Sequence, residues 1–186
     1  MSVASVPFWR RRHSPPPAPP HVKRGIVADY VNRVRPSIFV ETGTYRGDTL
    51  ARVRPLVNRA ISIELDPTLA KAAQRRFKRW PNVEIRIGDS ALVLAEVVAG
   101  LTQPSLFWLD GHYSGGVTAN SGESPVMKEL SSILLSSGEH TVLIDDARLF
   151  DGTDGYPTIG EITAMISSHD SRLTCSVVDD IIRVER

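Results

Sequence analysis

Apolar positions recur along this chain with two periods. Between residues 22 and 35, Ile26, Tyr30 and Val34 return every four residues, with Val27 and Val31 beside them, the spacing of one helix face. Pro36 ends that helix, because a proline disfavours helical conformation in the residue before it. The pattern then changes to short apolar runs, each closed by turn residues and followed by a stretch of helical period. The runs predict strands at 37–41, 60–64, 83–87, 105–110 and 141–145. The stretches between them predict helices at 48–56, 68–79, 92–99, 125–135 and 159–168. Asp66-Pro67 marks one helix start, with Asp as cap and Pro at the first position. In that helix Leu69, Ala72, Ala73 and Phe77 form the expected buried stripe, and Lys71, Arg75, Arg76, Lys78 and Arg79 a solvated face. At the end of the chain, β-rich runs at 173–178 and 181–185 flank Asp179-Asp180, the pattern of an antiparallel hairpin. With right-handed crossovers, the succession predicts an α/β fold. It is a doubly wound, Rossmann-like, mostly parallel seven-stranded sheet with a C-terminal antiparallel hairpin and helices on both faces.

Composition adds boundaries. The 186 residues, 41% of them apolar, suit one core. Residues 1–21 contain Pro15-Pro16-Pro17-Ala18-Pro19-Pro20, which favours extended polyproline conformation. They are expected to form a flexible Pro-rich basic tail ahead of a single domain at 22–186. The net charge of +1 hides an asymmetry. Residues 1–24 carry Arg10, Arg11, Arg12, Lys23 and Arg24 and no acid, which leaves 17 basic against 21 acidic residues beyond them. An acidic body argues against a broad nucleic-acid surface. No apolar run is long enough to span a membrane, and no apolar stretch follows the arginines as a secretory signal would require. The single cysteine, Cys175, allows no intramolecular disulfide and fits a reducing compartment. A cytoplasmic protein without nucleic-acid or membrane partners is expected.

The candidate chemistry lies where the strands end. The five predicted parallel strands finish in Glu41, Glu64, Asp89 (within Gly88-Asp89-Ser90), Asp110 and Asp145. In open parallel sheets ligands bind outside the carboxyl ends of the strands, so these acids should rim one crevice. After the first strand, Gly43 and Gly47 allow a close approach of backbone to ligand, and the following helix offers unpaired N–H groups. Glu41 and Glu64 lie 23 residues apart, near the spacing at which an acid grips a ribose in dinucleotide folds. An NAD-dependent oxidoreductase is therefore one reading. However, Tyr45 stands where the second glycine of G-x-G-x-x-G belongs.

Val40-Glu41-Thr42-Gly43-Thr44-Tyr45-Arg46-Gly47 resembles the first motif of class I S-adenosylmethionine-dependent methyltransferases, in the E-x-G-x-x-x-G form of the catechol-type, metal-dependent O-methyltransferases. Ile63-Glu64-Leu65-Asp66-Pro67 is similar to the second motif, whose Glu holds the cofactor ribose. Gly88-Asp89-Ser90 resembles the stretch beside the adenine. Leu109-Asp110-Gly111-His112 and Leu143-Ile144-Asp145-Asp146 resemble the ends of the fourth and fifth strands. The resemblance covers residues 37–150. It implies S-adenosylmethionine bound by Glu41, Gly43, Tyr45, Gly47, Glu64, Asp89, Ser90 and Asp110, and Mg²⁺ or Mn²⁺ bound by Asp110, Asp145 and Asp146. Three crowded carboxylates repel one another unless a cation lies among them, although Asp146 could also cap a loop with no metal bound. The family's catalytic lysine, three residues after the fourth-strand Asp, is Tyr113 in this chain. His112 is the substitute candidate for the base, since a histidine titrates near neutral pH. A structural role for His112 stays open.

The resemblance implies methyl transfer to a hydroxyl of a small polar acceptor. The loops after the fourth and fifth strands supply Tyr113, Ser114, Thr118, Asn120, Arg148, Asp151, Asp154 and Tyr156. That polar lining suits a sugar or glycoside, and the composition resembles that of an actinobacterial protein, where sugar O-methyltransferases occur. A homodimer is compatible with this reading. A non-catalytic S-adenosylmethionine-binding module is a further alternative.

Overall fold

The structure is a computed structural model, and it describes residues 16–110 and 124–186 together with Val6 and Trp9. Helix α1 (Pro20–Val34) leads to β1 (Ile38–Thr42). Then follow α2 (Asp48–Val53), β2 (Arg59–Glu64), α3 (Pro67–Phe77), β3 (Val83–Ile87), α4 (Ser90–Ala99) and β4 (Ser105–Leu109). The chain continues through α5 (Val126–Leu134), β5 (His140–Ile144), α6 (Ile159–His169), β6 (Thr174–Val178) and β7 (Ile181–Glu185). The strands form one sheet in the order β3-β2-β1-β4-β5-β7-β6. β1 to β5 are parallel, and β7 inserts antiparallel between β5 and β6. Asp179 and Asp180 turn the final hairpin, both with positive φ, as a two-residue primed turn requires. The expected fold class and hairpin are thus present.

Two layers of apolar side chains cover the sheet, and strand periodicity of two assigns them. Val40, Ile63, Phe107, Leu109 and Ile144 pack with α4, α5 and α6 on one face. Phe39, Ala60, Leu106, Trp108 and Leu143 pack with α1, α2 and α3 on the other. By the same alternation Glu41, Ser62, Glu64, Asp110 and Asp145 fall on the α1 side, at or beyond the strand ends.

Local chemistry sets the boundaries. Pro67 opens α3, and Asp66 Oδ1 accepts from the backbone N–H groups of Thr68 at 2.6 Å and Leu69 at 3.0 Å. The α3 stripe runs through Ala70, Ala73 and Phe77; Ala72, expected inside, is exposed. The helix expected at 48–56 is α-helical to Val53 and then tightens to a 3₁₀ turn over Arg54–Leu56, where Pro55 lacks the N–H that an α-helix needs. A capping box of Thr158 and Glu161 starts α6.

The segment expected to be a flexible tail differs at the residues described in it. α1 already begins at Pro20, and Val6 and Ala18 are 2% and 3% exposed within the α1 face of the core. Trp9 packs against the same cluster. Gly25 makes the contact possible, since a Cβ there would lie 2.6 Å from Val6 Cγ2.

Candidate functional site

The first turn of the site is built around glycine. Gly43 and Gly47 have φ of 85° and 72°, values that favour glycine. A Cβ on Gly47 would also lie 2.6 Å from Phe77 Cε2, so α2 can approach α3 only through a glycine. Tyr45 between them also has positive φ and is 61% exposed at the rim. The turn is tied to β2. Glu64 Oε2 accepts from the Tyr45 N–H at 2.7 Å, and Glu64 Oε1 from the Asp66 N–H at 3.0 Å. Each carboxylate oxygen keeps a further lone pair, so Glu64 can still receive a ribose hydroxyl.

Glu41 sits beneath this turn. It pairs in register with Ser62 on β2, and its Oε1 accepts from Ser62 Oγ at 2.7 Å. Ser62 also shares a hydrogen bond with the Thr44 hydroxyl. Glu41 is 1% exposed, and burial, with the Glu64 charge adding to it, pushes its pKa up to about 8 against the pull of Ser62. It therefore carries a proton at neutral pH and braces the turn from below. Asp89 caps α4 through the Ala91 N–H at 2.9 Å and is exposed; Ser90 follows as the first residue of that helix.

Glu129 escaped the sequence reading. It lies on α5, fully buried, and burial lifts its pKa to about 7, opposed by the Ser90 and Thr42 hydroxyls. The signal was present, since Glu129 falls on the apolar stripe of Val126, Leu130 and Ile133, where a carboxylate is out of place.

At the far side of the crevice the expected acids converge. β4 pairs with β5, and the Asp145 N–H bonds to the Leu109 carbonyl at 3.0 Å, which sets Asp110 beside Asp145. Asp146 follows in left-handed conformation, φ 54°. The cation among them is a residue of the chain. Lys23, from the first turns of α1, donates to Asp145 Oδ2 at 2.7 Å and to Asp146 Oδ1. Arg148 donates to the same Asp146 oxygen at 2.7 Å and also pairs with Asp180. Asp145 Oδ1 accepts from the Asp146 N–H at 2.8 Å. Burial works against the Lys23 charge, yet the attraction of Asp145 and the bonds to both aspartates outweigh it and hold its pKa above the usual lysine range. Burial, with Asp146 adding to it, raises Asp145 against the pull of Lys23. Burial and the Asp145 charge lift Asp110 well above the carboxylate range.

The Mg²⁺ or Mn²⁺ that the resemblance implies does not fit this arrangement. An ion bound between Asp145 and Asp146 would lie against the Lys23 ammonium, which donates to both, and beside the Arg148 guanidinium, which donates to Asp146. Among the described residues no group of His, Cys, Asp and Glu is arranged to hold a metal ion.

Other expected residues divide. His112, Tyr113, Ser114, Thr118 and Asn120 lie outside the described residues. Tyr156 does not line the crevice; it is buried edge-on against Phe150, with ring centroids 5.3 Å apart. His140 lies at the start of β5, at the opposite edge, as expected. A cavity of about 850 Å³ opens at that opposite edge among Arg33, His140, His169 and Arg172, and none of the expected site residues lines it. No helix among the described residues is long and apolar enough to cross a membrane.

No family model and no curated protein matches the chain by sequence. Solved structures match by fold. An SAH-bound methyltransferase from Podospora anserina superposes with a TM-score of 0.66 at 16% identity, covering 100% of this chain and 88% of its own. The O-methyltransferase TomG from Streptomyces achromogenes, in complex with SAM, gives a TM-score of 0.66 at 14% identity, covering 97% and 86%. An O-methyltransferase from Bacillus cereus in complex with SAH gives 0.65 at 15% identity, covering 99% and 90%. The chain has the Rossmann-like fold of these methyltransferases.

Proposed function

We propose that this protein is an S-adenosylmethionine-dependent O-methyltransferase acting on a hydroxyl of a small polar acceptor, a sugar or glycoside being the preferred class. The observation that carries the reading is Glu64, fixed by the Tyr45 and Asp66 N–H groups beside the Gly43–Gly47 turn. It stands at the strand end where a nucleoside ribose is gripped. The sheet supports it. A dinucleotide-binding Rossmann sheet continues parallel after its fifth strand, whereas here β7 runs antiparallel.

S-adenosylmethionine, when bound, supplies an electrophilic methyl group on its sulfonium. Gly43 and Gly47 would admit the cofactor close to the backbone, Glu64 would accept from its ribose hydroxyls, and Asp89 and Ser90 would flank its adenine. Asp110 and Asp145 face the acceptor. The reaction the cofactor would supply is displacement at that methyl carbon by the acceptor oxygen, with the carbon–sulfur electron pair leaving on sulfur. The hydroxyl proton passes to His112, two residues after Asp110.

The test starts with binding. Titration calorimetry should show S-adenosylmethionine and S-adenosylhomocysteine binding, and Glu64→Ala should weaken both by ~2–4 kcal/mol. Tight NAD binding with none of S-adenosylmethionine would instead favour the oxidoreductase. With an acceptor found from a panel of hydroxylated compounds, His112→Ala should lower turnover by ~10²–10⁴-fold and remove a step in the rate profile near neutral pH. An unchanged profile would leave His112 structural.

A further inference from the structure

We infer that the Lys23 ammonium replaces a divalent metal ion as the cation of the Asp110, Asp145 and Asp146 cluster, so that this site works without one. The inference deepens the methyltransferase reading, because it concerns how the acceptor end of that same crevice holds positive charge.

Place comes first. Lys23 is the fourth residue of α1. A lysine in the first turns of a helix meets the positive end of the helix dipole and is disfavoured there. No acidic residue in the first turn of α1 offsets it. The acids that do so lie 122 and 123 residues away in sequence, on the loop after β5. The helix that carries Lys23 is itself fixed on the sheet. Val22, Ile26 and Val27 on the same helix are at most 1% exposed in the core, and Val6 and Ala18 pack on this face as well.

Space and charge come second. A Mg²⁺ ion binds carboxylate oxygens at about 2.0–2.1 Å and demands near-octahedral geometry. Asp145 Oδ2 accepts from Lys23, and Asp145 Oδ1 from the Asp146 N–H. Asp146 Oδ1 accepts from both Lys23 and Arg148. An ion placed between the two aspartates would lie within contact distance of an ammonium and beside a guanidinium. The two cationic side chains already do what the ion is needed for, which is to let the carboxylates lie together.

Chemistry comes third. An ammonium has three donors, and two are on Asp145 and Asp146. Its one remaining donor can make a single hydrogen bond to an acceptor oxygen. A metal would instead select acceptors with two adjacent oxygens that chelate. The ammonium therefore suits an isolated hydroxyl.

The experiment titrates Mn²⁺ into four forms of the full chain: wild type, Lys23→Ala, Asp145→Asn, and Lys23→Ala with Asp145→Asn. Binding is followed by the electron paramagnetic resonance signal of free Mn²⁺ and by the thermal midpoint. The wild type should show no saturable binding at millimolar Mn²⁺ and no shift in midpoint. Lys23→Ala should gain saturable binding and a raised midpoint with Mn²⁺, and Asp145→Asn should abolish both. Saturable binding by the wild type that Asp145→Asn removes would overturn the proposal, as would a folded Lys23→Ala that binds no Mn²⁺. If Lys23→Ala does not fold, the wild-type titration alone decides, together with Asp145→Asn. S-adenosylmethionine binding in the same samples tests the methyltransferase reading separately, since it needs neither Mn²⁺ nor an acceptor.

Discussion

Glu41 shows what a single residue can hide. A carboxylate just before a glycine turn invites a role in holding a ligand, and the sequence reading gave it one. The structure puts Glu41 1% exposed under the turn, bonded to Ser62 and protonated near neutrality by burial. This has a measurable sign. An unfolded glutamate titrates near about 4.3, and folded Glu41 near about 8. Between those values the native state holds a proton that the unfolded state has lost, so stability falls as pH rises, by about 1.4 kcal/mol per unit for this group. Glu129, at about 7, acts in the same direction over a narrower window. Chemical denaturation of wild type and Glu41→Gln across pH should show the variant gaining relative stability from about pH 4.5 to 8, with a constant difference above that. A difference independent of pH would mean that Glu41 is ionised in the folded protein. The glycines beside it were legible because a turn that needs φ above zero leaves a compositional mark. The burial of Glu41 was not, because it depends on which residue of β2 lies opposite, and that is Ser62.

At the scale of one element, α1 carries the largest difference between pattern and structure. Its apolar face was plain from Ile26, Tyr30 and Val34, but Lys23 entered only as one of the charges of residues 1–24. Length alone could have placed it. Fifteen helical residues span about 22 Å, and the five residues of β1 about 16 Å. A helix that ends where β1 begins and runs back along it must start level with the carboxyl ends of the strands. Strand alternation, carried from Trp108 to Asp110 and from Leu143 to Asp145, then points those acids to the α1 side. What no local pattern could supply is the pairing of Lys23 with Asp145 across 122 residues. The packing of the segment before α1 was equally hidden, since Val6 and Trp9 follow neither a helical nor a strand period and stand before a basic, proline-rich run. Deleting residues 1–18 removes Val6, Trp9 and Ala18 from the core. A buried Val is worth ~1.5–3 kcal/mol, and in a chain of this size each kcal/mol moves the midpoint by ~2–4 °C. The truncated protein should therefore melt several degrees lower. An unchanged midpoint would return these residues to the status of a tail.

For the whole molecule, the sheet was legible as strands and helices but not as an order. The terminal hairpin was plain, yet either strand could have docked on β5. Burial explains the choice: Ile181, Ile182 and Val184 of β7 are buried, whereas β6 is mostly exposed. A strand apolar on both faces belongs inside a sheet and a polar one at its edge. That insertion also separates this fold from a dinucleotide-binding sheet, which the glycine pattern alone could not do. The contact of Lys23 with Asp145 spans the same architecture and has a consequence for when the site is made. A counter-ion on a covalent tether has an effective concentration set by the fold and not by the surrounding solution. Dialysis cannot remove it, and a change in the free level of any ion does not empty its place. The charge balance of the crevice is therefore decided once, when α1 docks on the sheet, and it lasts as long as the chain stays folded.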